Sequence, residues 1–393
     1  MHLLTRYGLS TGVKIGKPFI LNKFFPIADF QYITFHPFSK YQSKCYDYWQ
    51  DVLDIIFPYL NKKNIKIIQI GAKGEQLLRG IYNTVGQTSI PQCSYIISHA
   101  LLHLGADSFA THIASGSNKK IVAIYSNNFA NAVRPYWTKN EDCVLIEPDR
   151  KESKPSFSAE EHPKSINSIK PEDIAKGVLK LLEIELDYPY LTFNFGANYH
   201  NKFIENIPNQ VINPSGFGLD SIVIRMDFYF DETCLEEQLK ISKCCIVTNK
   251  PINERILKIY EPNIKEIIYY LDKNHDPKFA TKLYKLGLIT HLCTELNDKD
   301  FNDIKMDYLD LPVVNHLKPL ENKIIEIIKS NPDKYFYSSC KKTLSEGKFY
   351  ASKAAWLQNK PASSIKENLF PIIDNDNFYK EIEYFKILST NKE

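Results

Sequence analysis

The chain has 393 residues, of which 49 are basic and 46 acidic, and 44% are hydrophobic. The two signs of charge nearly cancel, so composition alone requires no nucleic-acid or other polyanionic partner. The length exceeds what one hydrophobic core usually serves, which favours two domains. No apolar run approaches the roughly 18 residues that span a bilayer, and the start lacks a secretory pattern. We therefore expect a cytoplasmic protein without a transmembrane segment.

In the first half, short apolar runs alternate with segments of helical period, which is typical of βαβ units around a parallel sheet. The predicted strands are residues 31–37, 65–71, 100–106, 119–126 and 143–148. Between the first two strands, five apolar residues share one helical face, which predicts a helix packed on the sheet. These residues are Trp49, Val52, Leu53, Ile56 and Leu60.

The second half begins after a segment rich in turn residues and aromatics, residues 188–218, where we place the domain crossing. A second βα series follows. Its predicted strands are residues 221–226, 244–249, 265–271 and 288–294, and its tail is predicted to be helical. The sequence therefore predicts an α/β fold of two Rossmann-like domains facing a cleft, with residues 31–190 in one and 191–393 in the other.

The eight cysteines form no CxxC pair, and no histidine stands at metal-ligand spacing from them. In this pattern we interpret them as reduced thiols and expect no bound metal.

The carboxyl ends of the first strands carry small, hydroxyl or basic residues. These ends are where helix N-termini present unpaired amides in parallel sheets, so the pattern predicts a phosphorylated ligand. The residues are Ser39, Lys44, Gly71, Asp107, Ser108, Ser126 and Asn127. A simpler interpretation of Asp107 and Ser108 is that they cap the helix beginning near Phe109. His112, on the same helix, is equally consistent with a buried helix residue.

The order of five segments in this half resembles the donor-binding half of glycosyltransferase family 9, the heptosyltransferase-like enzymes, over about residues 31–148. The segments are "ITFHPFSKYQSKCYDYW", "IKIIQIGAKGEQ", "VGQTSIPQCSYII", "LGADSFATHIA" and "IVAIYSNN". The resemblance implies a GT-B-like fold, no cofactor, and a nucleotide diphosphate sugar as the donor substrate.

The resemblance also implies roles for residues at the strand ends. Asp107 would contact the donor sugar, the amides from Ser108 to Thr111 would hold the diphosphate, and Lys44 with Ser39 would neutralise its charge. The chain departs from the family pattern at Phe109, where the family has glycine. It also departs at Ser126 and Asn127, in the family's Gly-Pro turn.

The domain order differs from the family, which places an acceptor-binding domain before the donor half. Only about thirty residues precede it here, so the resemblance implies a rearranged order, of which circular permutation is one form. Residues 1–30 are predicted to form a strand and loop packed with the second domain. The family's catalytic aspartate is replaced there by Ser10, Thr11 and Gly12.

A different carboxylate must then serve as general base for the acceptor hydroxyl. Asp227, after the strand at 221–226, is the first candidate and Asp220 the second, although each is also consistent with a helix cap or a surface charge.

The leading hypothesis is a metal-independent, inverting hexosyl- or heptosyltransferase acting on a hydroxyl of a larger acceptor. The acceptor is a glycan or, as the runner-up, a hydroxymethylated base in phage-type DNA. The alternatives are a sugar-nucleotide epimerase or phosphorylase, and a non-catalytic sugar-nucleotide binder. The donor sugar, its base and the oligomeric state are left open by the sequence.

Overall fold

A six-stranded parallel sheet organises the first half of the chain in the computed structural model, which describes residues 1–311, 314–317, 320–363, 369–372 and 376–390. Its strands are β1 (Tyr32–His36), β2 (Lys66–Gln69), β3 (Tyr82–Asn83), β4 (Leu102–Ala106), β5 (Lys120–Ile124) and β6 (Cys143–Ile146). All five predicted strands form. Their order is β3-β2-β1-β4-β5-β6, so the winding direction reverses between β1 and β4. Ligands in open α/β sheets bind at such a switch point.

Helices pack around this sheet and explain its apolar runs. They are α1 (Leu3–Thr11), α2 (Trp49–Lys62), α3 (Ile90–His99), α4 (Phe109–Gly116), α5 (Ala130–Val133) and α6 (Pro171–Leu181). The five apolar residues predicted on one face of α2 are all buried, which confirms that interpretation. Residues 121–124 of β5 are fully buried too. Burial on both faces is why this strand is an unbroken apolar run.

The strand expected at the chain start is wrong, because Leu3–Thr11 is a helix. His2 caps it by accepting from the Leu4 amide, and Gly12 ends it with a φ of 70°. A capping side chain and a left-handed C-terminal glycine are helix signals that the prediction overlooked.

Residues 1–30 also belong to the first unit, and not to the sheet of the second domain as predicted. The Lys23 amide donates to the Pro91 carbonyl at 2.9 Å, and His2 Nε2 lies 2.9 Å from the Arg134 carbonyl oxygen. The chain divides into two units, Met1–Leu191 and Thr192–Glu393, next to the predicted boundary at residue 190.

The second unit contains a larger, mostly parallel sheet, in which all four predicted strands form. Its strands are β8 (Phe203–Asn206), β9 (Ser221–Arg225), β10 (Lys243–Thr248), β11 (Ile264–Tyr270), β12 (Thr290–Thr294), β13 (Asn315–His316), β15 (Lys341–Ser345) and β16 (Lys348–Tyr350). Among the described residues the order is β13-β12-β11-β10-β9-β8-β15-β16. The α/β class and the two parallel sheets are thus confirmed, while the cleft between domains stays a prediction.

One face of this second sheet carries the apolar core. Ile222, Ile224 and Ile246 are buried there with residues of the covering helices, such as Leu235 and Leu257. The helices are α7 (Glu232–Ile241), α8 (Glu254–Ile259), α9 (Pro277–Lys285) and α10 (Asp298–Asp307). Side chains alternate along a strand, so Arg225, which follows Ile224, lies on the opposite face.

The tail is only partly helical, so that prediction needs correction. It contains α11 (Asn322–Ser330) and α12 (Lys353–Leu357). It also contains strands of a third sheet, of order β17-β14-β18-β7, in which β7 comes from a much earlier part of the chain. These are β7 (Tyr190–Phe195), β14 (Tyr335–Ser339), β17 (Phe370–Pro371) and β18 (Phe385–Thr390). β14 is antiparallel to β18. These strands pair over long sequence separations, which local helical periodicity does not reveal. Within the described residues, no helix is long and apolar enough to cross a membrane.

Candidate functional site

An ion pair stands at the carboxyl edge of the first sheet, beside the switch point. Asp107 directly follows β4, and Lys44 ends a short helix, Gln42–Lys44, that follows β1. Lys44 Nζ lies 2.6 Å from Asp107 Oδ2, and the two side chains are 14% and 9% exposed. The structure thus brings together the two residues that the resemblance assigned to the donor's charge and sugar. Such low exposure makes each charge dependent on the other.

His112 lies on the outer side of this pair, on the second turn of α4. Its Nε2 is 4.0 Å from Asp107 Oδ1, and the side chain is 46% exposed, so the interpretation as a buried helix residue is wrong. Burial of part of the ring lowers the pKa of His112, and the Asp107 carboxylate only partly offsets this. The imidazole is therefore neutral at physiological pH and available for hydrogen bonding.

Ser108 stands at the N-cap position of α4, but its hydroxyl makes no capping bond. The hydroxyl instead pairs with His36 Nδ1 at 2.8 Å. The interpretation of Ser108 as a side-chain helix cap is therefore wrong. Because the Ser108 side chain does not cap this terminus, the first amides of α4 stay at the carboxyl edge of the sheet, as an anion site requires.

Two neighbours on α4 have different environments. Thr111 is fully buried and donates its hydroxyl to the Ala106 carbonyl at 3.0 Å, so its side chain ties the helix to β4. Phe109 is 45% exposed and packs edge-on against His36, with 5.2 Å between ring centroids. The phenylalanine that departs from the family pattern therefore covers a histidine at the sheet edge.

Ser126 and Asn127, after β5, are both buried and form hydrogen bonds with the loops around Lys44. The Ser126 hydroxyl donates to the Ser43 carbonyl at 2.6 Å, and the Asn127 amide donates to the Ser158 carbonyl at 2.8 Å. The Arg150 guanidinium donates to the Ser126 carbonyl. These two side chains hold the loops around Lys44 against the end of β5, and their contact with the donor stays a prediction.

Gly71 and Ser39 complete the predicted strand ends. An added Cβ at Gly71 would lie 2.1 Å from Glu75 Oε2, so the glycine makes room for the Glu75 carboxylate. Ser39 is half-buried in the loop after β1, and its carbonyl accepts a hydrogen bond from the Cys45 thiol at 3.3 Å. A side chain at position 71 would therefore displace the Glu75 carboxylate.

Three residues of this edge were missed by the sequence prediction, namely His36, Glu75 and Arg150. Each stands at or just after a strand end, and a systematic search of polar residues at those ends would have found them. His36 is the last residue of β1, and Glu75 follows the Gly71 turn after β2. Arg150 follows β6 and pairs with Glu147 at 3.1 Å.

The predicted general bases in the second unit do not come together. Asp220 is exposed and precedes β9, whereas Asp227 follows that strand at its other end. Arg225 donates from Nε to Asp227 Oδ1 at 2.8 Å and from Nη2 to Oδ2 at 2.6 Å. Because both carboxylate oxygens of Asp227 are engaged by one guanidinium, its geometry is that of a structural ion pair.

The predicted loop at Ser10, Thr11 and Gly12 is the C-terminal end of α1. Both hydroxyls donate to the Tyr7 carbonyl, Ser10 at 3.0 Å and Thr11 at 2.8 Å. They stabilise a helix terminus. The equivalence with the family's catalytic loop, which assumed a strand before these residues, is therefore wrong.

The residues at the carboxyl edge of the first sheet lie in a segment that is similar to known proteins. Residues 16–163 match the model of glycosyltransferase family 9 (heptosyltransferase), which confirms the resemblance for that segment. The segment contains the Lys44 and Asp107 pair, His36, Glu75 and all of α4. The comparison with curated proteins gives no match.

Several solved structures are similar to part of the chain. The Escherichia coli ADP-heptose heptosyltransferase II is 15% identical, with 46% of this chain and 51% of that chain covered and a TM-score of 0.32. A family 9 glycosyl transferase of Veillonella parvula is 18% identical, with 46% and 50% covered and a TM-score of 0.33. The iron-containing dodecameric glycosyltransferase TibC of enterotoxigenic E. coli is 13% identical, with 40% and 46% covered and a TM-score of 0.32. The chain spans about half the length of these relatives.

Proposed function

We propose that the first unit binds the diphosphate of a nucleotide sugar at the carboxyl ends of β1 and β4, and that the protein transfers the sugar to a hydroxyl of a larger acceptor. The observation that carries the proposal is the Lys44 and Asp107 ion pair at the switch point, inside the segment that matches family 9. Switch-point crevices bind phosphorylated ligands through helix N-termini.

The chemistry of this edge suits a leaving diphosphate. Negative charge develops on the phosphate as the glycosidic bond breaks, and a fixed cation with oriented amides stabilises that charge. Lys44 supplies the cation, and α4 supplies N-terminal amides that the Ser108 side chain leaves uncapped. The Asp107 carboxylate keeps Lys44 in place before the donor arrives and then offers acceptor oxygens to sugar hydroxyls.

The proposal also covers the acceptor and the stereochemical course of the transfer. A glycan is the acceptor that the family favours, and inversion in a single displacement is the course it implies. DNA as acceptor predicts binding that weakens steeply with salt, because phosphate contacts release counterions. Product analysis with the donor alone identifies an epimerase, since that activity needs no acceptor.

The decisive first experiment is a thermal-shift screen of nucleoside diphosphates and their sugars. A ligand at about 100 times its Kd stabilises the folded state by roughly 2.7 kcal/mol, which is measurable as a rise in Tm. We expect one nucleobase series to raise Tm, with ADP compounds tested first because a relative has been solved with ADP-heptose. No shift with any diphosphate would contradict the proposal.

A second candidate function is sugar-nucleotide binding without catalysis. The observation in its favour is that Asp227 is held by Arg225 on both oxygens, while Ser10, Thr11 and Gly12 supply no carboxylate. This candidate predicts a donor-induced rise in Tm but no turnover with any acceptor. Slow hydrolysis of a radiolabelled donor, abolished in a Lys44→Ala variant, would contradict it.

We further propose that transfer needs no divalent ion, because Lys44 and α4 take the charge of the diphosphate. In the part of the chain that the structure describes, no group of three or more His, Cys, Asp or Glu residues is arranged to hold a metal. We expect the transfer rate in excess EDTA to equal the untreated rate within twofold. Recovery of a lost rate on adding back Mg²⁺, Mn²⁺ or iron would contradict this prediction.

A further inference from the structure

Three side chains from neighbouring strand ends form a line at the edge of the first sheet. Ser108 Oγ, after β4, lies 2.8 Å from His36 Nδ1, at the end of β1. His36 Nε2 lies 3.7 Å from Oε2 of Glu75, in the turn after β2. Because β2, β1 and β4 are adjacent in the sheet, this line crosses the switch point.

The Glu75 end of the line is held in place. The Ala72 amide donates to Glu75 Oε1 at 3.0 Å, and Gly71 leaves the space that Oε2 occupies. Neither His36 Nε2 nor Glu75 Oε2 has a hydrogen-bond partner among the described residues, although both atoms are buried. At 3.7 Å they are too far apart for a full hydrogen bond but face each other as charge partners.

The charge of Glu75 decides where the protons of His36 lie. Burial opposes ionisation of Glu75, but the contacts with His36 and the Ala72 amide outweigh it and lower the pKa of Glu75. A carboxylate facing Nε2 favours a proton on that nitrogen. In neutral His36, Nδ1 is then an acceptor, so the Ser108 hydroxyl donates to it and has no hydrogen left for a ligand.

A second proton on His36 reverses this bond. In the imidazolium form, Nδ1 donates to Ser108 Oγ, and the hydroxyl hydrogen is released toward the sheet edge. The added positive charge is compensated by Glu75 on one side. On the Ser108 side, the preceding residue Asp107 is paired with Lys44 and lies 4.0 Å from His112 Nε2. A further histidine, His103 on the adjacent strand β4, is buried. Burial and, to a smaller extent, His36 lower the pKa of His103 to about 3, so His103 stays neutral.

We propose that Glu75 and His36 are positioning residues for the Ser108 hydroxyl, and that a diphosphate binding at this edge takes up one proton on His36. The inference rests on the proposed donor site. An anion beside Ser108 favours a hydroxyl that donates to it, and only protonated His36 frees that hydroxyl. Phe109 packs against His36 and limits access of water to the ring.

The test is titration calorimetry with inorganic pyrophosphate between about pH 6 and 8, where an ordinary histidine titrates, in buffers that differ in ionisation enthalpy. Wild-type protein should take up one proton on binding within this pH range. His36→Gln should abolish the uptake, and Ser108→Ala should weaken binding by about ten- to hundredfold. Glu75→Gln should move the uptake to lower pH, because it removes the charge that favours the imidazolium.

His112→Gln is the matched control, because His112 is a second histidine at this edge, 4.0 Å from Asp107, and has no hydrogen bond to Ser108 among the described residues, so its variant should keep the proton uptake. Equal proton uptake in wild-type and His36→Gln protein, corrected by the same buffer series, overturns the inference. So does wild-type binding that takes up no proton at any of these pH values.

A ligand-free measurement separates this inference from the donor proposal. In protein labelled with ¹⁵N-histidine, NMR should show His36 protonated at Nε2 and bare at Nδ1 at about pH 8, where a free imidazole is neutral. The Glu75→Gln variant should show a changed tautomer ratio and, by its retained spectrum, an intact fold. A proton on Nδ1 in the wild type overturns the inference. Absence of pyrophosphate binding overturns the donor proposal and the coupled uptake, while the tautomer still reports the His36 arrangement.

Discussion

Lys44→Ala protein should bind the donor diphosphate about ten- to hundredfold more weakly than the wild type and should lose most of its transfer activity. Hydrogen bonds to charged groups contribute about 1.5–3 kcal/mol, which corresponds to that range of affinity. The loss in rate should exceed the loss in affinity, because the charge on the leaving diphosphate grows in the transition state. Calorimetry gives the first quantity and steady-state kinetics the second.

Lys40→Ala is the matched control for this variant. Lys40 stands in the same loop but is exposed. It carries the same charge, so its removal reports the general effect of one positive charge near the site, which solvent and salt screen. We expect less than a twofold change in Kd. Equal effects of Lys44→Ala and Lys40→Ala would show that Lys44 makes no specific contact with the donor.

Stability must be separated from binding, because Lys44→Ala leaves the Asp107 carboxylate nearly buried without its cation. Breaking a fully buried pair costs about 3–5 kcal/mol, and the residual exposure of this pair should reduce the cost to about half. The double variant Lys44→Ala with Asp107→Asn removes both charges and should recover most of the stability. It should not recover donor binding. Recovery of both would assign the pair a purely structural role.

The sequence predicted five strands of the first sheet and four of the second, because buried parallel strands are continuous apolar runs, as in Ile121 to Ile124. It did not predict α1 or the antiparallel strands of the tail. The amphipathic pattern of α1 is short, and its ends are marked only by His2 and Gly12. The tail strands, such as Tyr335–Ser339 and Phe385–Thr390, pair with partners far along the chain.

The sequence predicted those residues of the candidate site that can be recognised at the end of one strand, but not the contacts between residues of neighbouring strands. Lys44 and Asp107 were recognised because a resemblance placed Lys44 at the donor's phosphate and Asp107 at its sugar. The contact between His36 and Ser108 was missed, since these residues are 72 positions apart and meet only because β1 and β4 are neighbours. Strand order is a tertiary property, and no local pattern in either strand specifies it.

The role of Asp227 was also decided by a partner that sequence reasoning did not consider. Arg225 stands two residues before it and was interpreted as part of an apolar strand. Its guanidinium is 2% exposed and contacts Asp227 and Glu205, while Lys341 Nζ lies 2.9 Å from Glu205. The ring of Phe228 covers the guanidinium, with 3.8 Å between its carbon and the ring centroid. The face of the second sheet opposite the apolar core therefore carries a buried cluster of paired charges.

Arg225→Met protein should consequently be the least stable variant of the second unit, by about 3–5 kcal/mol at neutral pH, because Asp227 loses the guanidinium that holds it and buried Glu205 keeps only Lys341. Urea unfolding followed by circular dichroism measures the loss. Arg255→Met is the matched control. Arg255 is exposed, so removing it should change the free energy of unfolding by less than about 0.5 kcal/mol.

The direction in which the stability deficit of Arg225→Met changes with pH follows from the pKa of Glu205. In the wild type, burial opposes ionisation of Glu205, but Arg225 and Lys341 outweigh it and lower the pKa of Glu205. Its contribution to stability is therefore present above the unfolded pKa and is lost as the pH falls through the folded pKa. Without Arg225, Lys341 alone opposes the effect of burial, so the pKa of Glu205 should be higher than in the wild type. The deficit of Arg225→Met should shrink as the pH falls from about 7 to about 4, because the folded variant takes up protons on these carboxylates at a higher pH than the folded wild type does. A deficit that is constant over this range would show that the variant loses packing against Phe228, and not charge compensation.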